Sequence, residues 1–163
     1  MIQEKLGFGD SLGMKCGKGF DDHPLFKGKL NIRLFDSGGN IKEEREINNT
    51  VTTTGKNSII DQLLASPALT KPTHMEVGIG TPAADALGSA VAASRTALSA
   101  KTRTNAVLTM VCTFAAGTGT GALTEAGIFN SASGAGMYCS AAFNVINKAA
   151  GDSLEITWTL TAS

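Results

Sequence analysis

From Lys29 onward the chain alternates between apolar and polar positions. Leu30, Ile32 and Leu34 are separated by Asn31 and Arg33, then Asp36-Ser37-Gly38-Gly39 supplies a turn, and a second extended run continues through Ile41 to Ile47. A period of two places successive side chains on opposite faces of a strand, and two such runs joined by a glycine-bearing turn predict a β-hairpin. Its second limb carries Lys42-Glu43-Glu44-Arg45-Glu46, which suits a solvated face or a protected sheet edge.

The same period returns further along. Met75, Val77 and Ile79 alternate with His74, Glu76 and Gly78 as far as Gly80-Thr81-Pro82. Between Thr104 and Phe114, the residues Leu108, Met110, Cys112 and Phe114 share one face. After the loose turn Gly117 to Gly121, Leu123 and the segment Glu125 to Phe129 begin another extended stretch. Met137, Cys139, Ala141, Phe143 and Val145 then line one face of the next strand. The last strand is the clearest, with Leu154, Ile156, Trp158 and Leu160 inward and Glu155, Thr157, Thr159 and Thr161 outward. Ala83 to Leu98 fits either a second short helix or an ordered loop.

Val51-Thr52-Thr53-Thr54 reads as a short β-branched run that stops at Gly55. One helix is predicted near residues 57–66: Asn57 or Ser58 can cap it, Ile59, Ile60, Leu63 and Leu64 form one apolar face, and Pro67 ends it. Seven or eight strands without strand–helix alternation predict an all-β fold, an antiparallel β-sandwich of jelly-roll-like or Ig-like kind.

Residues 1–28 sustain neither period. Six glycines interrupt single apolar residues at irregular spacing, and glycine weakens helix and strand alike. The expected division is an extended Gly-rich N-terminal arm over 1–28 ahead of one sandwich domain over 29–163. Leu6, Phe8, Leu12, Phe20 and Phe26 are candidate anchors on a neighbouring subunit, the alternative being a loosely ordered N-terminus.

Composition narrows the function. At 163 residues and 16.7 kDa the chain suits a single domain. Lys and Arg together balance Asp and Glu at 14 each, so no net positive charge favours nucleic acid or an anionic membrane. Eight charges of each sign fall in the first 50 residues, which leaves residues 51–163 weakly charged and rich in Thr and Ala, a composition suited to extensive contact. Met1 to Lys5 lacks the basic start and apolar run of a secretory leader. The apolar stretch Ile59 to Leu69 is interrupted by Asp61, Gln62, Ser66 and Pro67 and does not span a bilayer. The chain is therefore expected to be unexported and its thiols reduced, with the Asn48-Asn49-Thr50 sequon accidental.

Raw material for catalysis is scarce. His23 and His74 are the two histidines, no CxxC spacing links Cys16, Cys112 and Cys139, and no GxSxG elbow occurs. Val77-Gly78-Ile79-Gly80-Thr81 and the Gly117, Gly119, Gly121 series match neither phosphate-loop nor dinucleotide spacing. Cys112 and Cys139 fall on inward faces as buried apolar thiols, and a disulfide is open to them if their strands are neighbours. Glu125, alone in a neutral region ahead of Gly127-Ile128-Phe129, is expected to accept backbone or Thr hydrogen bonds. No catalytic residue, cofactor or metal site is predicted.

Several short segments occur in an order that resembles a family of small virion proteins of tailed bacteriophages. They are Asn49-Thr50-Val51 running into Thr54-Gly55 and the Ile59–Leu64 helix, Val77 to Pro82, Leu123 to Phe129, Met137 to Phe143, and Gly151 to Leu160. The resemblance implies a β-rich, non-enzymatic protein of the phage particle, on the capsid surface or in the tail. The leading expectation is a capsid decoration or cement protein that binds the outer surface of the major capsid lattice and bridges its subunits. Its partners would be the major capsid protein or other virion proteins, and its own state a homo-oligomer, with a trimer suiting local three-fold positions. A tail, baseplate or fibre-attachment component is the alternative. A carbohydrate-binding β-sandwich is a third reading, weakened by the presence of one Trp and one Tyr.

Overall fold

Asp36 closes the first hairpin. In the computed structural model, which describes residues 26–68, 70–134 and 136–162, its Oδ1 accepts the backbone N–H groups of Gly38 at 2.8 Å and Asn40 at 2.9 Å. Gly39 takes the left-handed conformation, φ 81°, that this turn requires. The flanking strands are β1 (Phe26–Phe35) and β2 (Ile41–Asn48), paired as the alternation predicts. β1 begins inside the stretch expected to form the arm: Phe26 pairs with Ala162, and its half-buried ring packs on the core of its own chain. Leu6, Phe8, Leu12 and Phe20 lie outside the described residues.

The remaining elements are β3 (Thr50–Val51), α1 (Thr53–Asp61), β4 (His74–Gly78), β5 (Thr96–Ala97), β6 (Ala100–Thr104), β7 (Val107–Phe114), β8 (Gly121–Phe129), β9 (Met137–Lys148) and β10 (Ser153–Ala162). They form two antiparallel five-stranded sheets, in the orders β2-β1-β10-β7-β6 and β3-β9-β8-β4-β5. The chain crosses between the sheets after β2, β5, β7 and β9. Leu30, Ile32, Met110, Phe114, Ile156 and Trp158 from the first sheet share one core with Met75, Val77, Leu123, Ile128 and Ile146 from the second. Removing this apolar surface from water is the main drive to fold, at about 25 cal/mol per Å².

Several local expectations are corrected. The helix is α1, starting at Thr53 rather than near 57, and its cap is Thr52, whose side chain accepts Gly55 N–H at 2.9 Å. Thr53 and Thr54 are therefore helical. The deciding contact is tertiary: Gly55 lies against β9 so closely that a Cβ would sit 2.1 Å from the Tyr138 carbonyl oxygen. Gly55 and Ser58, one turn apart, are the buried side of α1, whereas Ile60, Leu63 and Leu64 face outward. Of the apolar face formed by Ile59, Ile60, Leu63 and Leu64, only half-buried Ile59 packs on the core.

Ile79 follows the end of β4 and is exposed. In β9 the inward parity changes between Ala141 and Ile146, across an irregularity in which Leu123 to Glu125 of β8 faces Ile146 to Ala142, two more residues on the β9 side. Val145 is consequently outward, with Ile146 and Lys148 inward. The carbonyls that the bulge frees are used: Arg45 of β2 donates to Asn144 O at 2.6 Å and Val145 O at 3.1 Å. Residues 83–98 form a loop with the two-residue β5, and β6 is an additional strand without a sequence signal.

Candidate interaction surface

The loop between β4 and β5 lies on the outer face of its sheet, where Glu125, Gly127 and Phe129 of β8 point. Glu125 is fully buried, and its carboxylate accepts the backbone N–H groups of Gly80 (3.0 Å), Gly88 (2.9 Å) and Ser89 (2.7 Å). Three charge-assisted bonds offset the desolvation that an isolated buried carboxylate would suffer. This is the acceptor role expected for Glu125. At the other end of the loop, Arg95 donates to Glu76 at 2.7 Å and to the Gly134 carbonyl at 2.9 Å, with its guanidinium 3.6 Å from the centre of the Phe129 ring. Both buried ends of this loop serve architecture.

A second set of buried charges closes the β9–β10 turn. Lys148 is 2% exposed and donates to the carbonyls of Ala115 at 3.0 Å and Asp152 at 2.7 Å. The Asp152 carboxylate accepts Lys42 Nζ at 2.7 Å and Ala149 N–H at 3.0 Å. The Lys42 hydrogen bond, followed by the one from Ala149, holds the Asp152 carboxyl below its ordinary pKa. Burial lowers the Lys148 pKa, with the Asp152 charge acting the other way. The signal for Lys148 in the sequence was its parity with Ile146, which the bulge conceals.

Cys112 and Cys139 are free and buried, on strands β7 and β9 of different sheets, so the disulfide left open to them does not form. Burial pushes both thiols up to about 12, which removes the thiolate a nucleophile needs. His74 sits at the end of β4 with Nδ1 2.8 Å from Thr73 Oγ1. His23 lies outside the described residues. Among the described residues, no three His, Cys, Asp or Glu side chains gather where they could hold a metal ion, and no helix is long and apolar enough to cross a membrane.

What the fold leaves unused is apolar. Ile60, Leu63 and Leu64 are 55%, 82% and 60% exposed at the end of α1 and in the turn after it. That turn is fastened by Leu63 N–H to Ile60 O and Leu64 N–H to Asp61 O, both 3.0 Å. On the neighbouring side of the same helical turn, Ile59 and Gln62 form one wall of a cleft of about 360 Å³. Tyr138 and Cys139 of β9 continue that wall, while Leu108, Met110 and Leu160 of the other sheet face it, with Lys71 and Lys101 at the rim. The Tyr138 hydroxyl donates to the Thr70 carbonyl, and burial raises its pKa. Ser58, almost fully buried, also lines the cleft.

The cleft and the exposed Ile60, Leu63 and Leu64 share one helical turn, with lysines at the cleft rim, and apolar surface of this kind marks a contact site on a protein. Sequence reasoning missed it because its parts come from six separated segments. Leu63 and Leu64 carried a hint, as part of the apolar face expected of the helix. A broader groove of about 790 Å³ between the start of α1 and residues 81–85 is lined by Thr50 to Thr54, where Thr54 Oγ1 already donates to Asp85.

Comparison of the chain with known protein families, with curated proteins and with solved structures finds no match.

Proposed function

We propose that the protein is a non-enzymatic structural subunit that acts by packing against other proteins through the open end of its two sheets. The observation that carries this reading is the exposure of Ile60, Leu63 and Leu64 beside the apolar cleft, in a molecule whose buried carboxylates and lysine are consumed by contacts within the fold. The two sheets are read as a β-sandwich of jelly-roll-like or immunoglobulin-like kind, in keeping with the four crossings between them. Trp158 and Tyr138 are both buried, so neither offers the open stacking face that a sugar-binding sandwich uses.

The setting is a bacteriophage virion, with decoration of the capsid as the preferred role and the major capsid protein as partner. This part of the proposal rests on the ordered resemblance between Asn49 and Leu160, and the apolar end surface supports it as the kind of contact a cement subunit needs. A closed homo-oligomer, a trimer, would match local three-fold positions of a shell. Copy number per purified particle, by quantitative mass spectrometry, tests the role. Hundreds of copies are expected for decoration; a few copies confined to tail fractions would assign the protein to the tail, baseplate or fibre attachment, and absence from particles would overturn the virion setting.

A further inference from the structure

The cleft beside α1 has a described lining that includes two lysines, Lys71 and Lys101, and no carboxylate. Its apolar depth is walled by Met110, Leu160 and Tyr138. A fitting occupant carries one bulky apolar group followed at once by negative charge. The sequence Gly19-Phe20-Asp21-Asp22 has this form, with glycine on one side of the ring and two carboxylates on the other.

We propose that Phe20 of the same chain inserts into this cleft while Asp21 and Asp22 pair with Lys71 and Lys101, so that the N-terminal segment covers part of the subunit's own contact surface. Reach permits it. Leu160, in the cleft wall, stands opposite Gly28 in the β1–β10 register, and Leu108 stands opposite Leu160 in the β10–β7 register. Leu108 is therefore about 10 Å from Gly28 across two strand spacings of about 4.8 Å. Phe26, two residues before Gly28, begins β1, and the six residues from Phe20 to Phe26 extend to about 20 Å at roughly 3.3 Å each. Because the segment is tethered at Phe26, its effective concentration at the cleft favours its own chain over a free competitor. Burial of the ring adds the apolar contact, and the two ion pairs fix which residue enters.

This inference rests on the cleft and the sequence ahead of it, and not on the virion setting, so either can fail alone. The test uses the full-length chain and a neutral solvatochromic dye that brightens in apolar clefts, with hydrogen exchange followed at Tyr138 and Cys139. Phe20→Ala is expected to raise dye binding several-fold and to speed exchange, whereas Phe8→Ala changes neither. Asp21→Lys with Asp22→Lys is expected to raise dye binding as well, and adding Lys71→Glu with Lys101→Glu is expected to restore it. Unchanged or lower dye binding in Phe20→Ala, or failure of the fourfold variant to restore the original level, overturns the proposal. In a Cys16→Ser background, oxidation of Asp22→Cys with Lys71→Cys is expected to give a cross-linked monomer. A cross-linked dimer overturns the same-chain assignment and gives the cleft to a second copy.

Discussion

The Glu125 carboxylate and the Ser89 backbone N–H meet at 2.7 Å across 36 residues of chain, in a place closed to water. Gly80 and Gly88 complete the same three-donor cradle, and a Cβ on Gly78 or Gly80 would press on the Glu125 oxygen from 2.4 or 3.0 Å. Replacing Glu125 with Ala leaves three donors without their acceptor. The expected loss is about 3 kcal/mol in urea denaturation. Glu125→Gln, which keeps one oxygen, should lose about half as much. A loss below roughly 1 kcal/mol for the alanine variant would show that the loop holds without the carboxylate.

Gly55→Ala sets two effects against each other. In an isolated helix the change would add about 1 kcal/mol of helix stability. Here the new methyl would lie 2.1 Å from the Tyr138 carbonyl oxygen, backbone that cannot yield without moving β9. Overpacking of this kind costs about 1–3 kcal/mol or more, so a net loss near 2 kcal/mol is expected. A thermal melt that rises instead would mean that α1 is free to lift off the sheet.

The two buried thiols make a prediction for alkaline pH. Cys112 and Cys139 are raised from an ordinary 9.0 to about 12. Below pH 9 the thiols are protonated in folded and unfolded chains alike, and their contribution is fully present. As pH climbs from 9 towards 12 only the unfolded chain ionises them, so stability falls through that window. In a Cys16→Ser background, a disulfide-exchange reagent at pH 8 should leave both thiols unmodified for as long as the fold persists, and titrate two on addition of urea. Rapid labelling of the folded protein would contradict the burial that raises them.

Acid acts through Asp152. Its carboxyl is held below 3.8 chiefly by the Lys42 ammonium, so the stabilisation is present above that value and is lost as pH falls through the lower folded one. Lys42→Met removes the largest cause and leaves the Ala149 N–H bond. The variant should be less stable than the parent at pH 7, with the gap closing as both are acidified below the ordinary carboxylate value of 3.8 and through the lower folded one, read from denaturant midpoints. A gap independent of pH would place the Lys42 effect in packing alone.

For the contact surface, Leu63→Ser with Leu64→Ser should change stability by no more than about 0.5 kcal/mol per site, because both side chains already stand in water. On the proposed virion role, the same pair should sharply reduce incorporation into particles, measured by competing variant against parent during assembly. Equal incorporation would move the contact to another face.

Much of the framework was legible because burial on one face writes a period of two directly into the chain. Leu154, Ile156, Trp158 and Leu160 occupy the core as the alternation of β10 predicts, and Leu30, Ile32 and Leu34 do so on β1. The failures have local causes. Thr52-Thr53-Thr54 has the composition of a strand, and the approach of Gly55 to Tyr138 that makes it a helix start is visible only in three dimensions. Val145 was misplaced by the β9 bulge, which shifts parity without any Gly or Pro to announce it. β6 escaped because Ala100 to Thr104 is exposed throughout and has no buried face to create a pattern. Of the site, Glu125 stood out as the lone charge of a neutral stretch, while the cleft is assembled from residues that no spacing connects.

Both outer strands of the β2-β1-β10-β7-β6 sheet carry charge: Lys42 to Glu46 on one, Lys101 and Arg103 on the other. Strands so marked resist templating one another into fibrils. On the proposed structural role, a subunit whose edges resist filament growth can accumulate and remain dispersed until a ready-made scaffold presents the matching surface, which would leave the timing of its assembly to the scaffold.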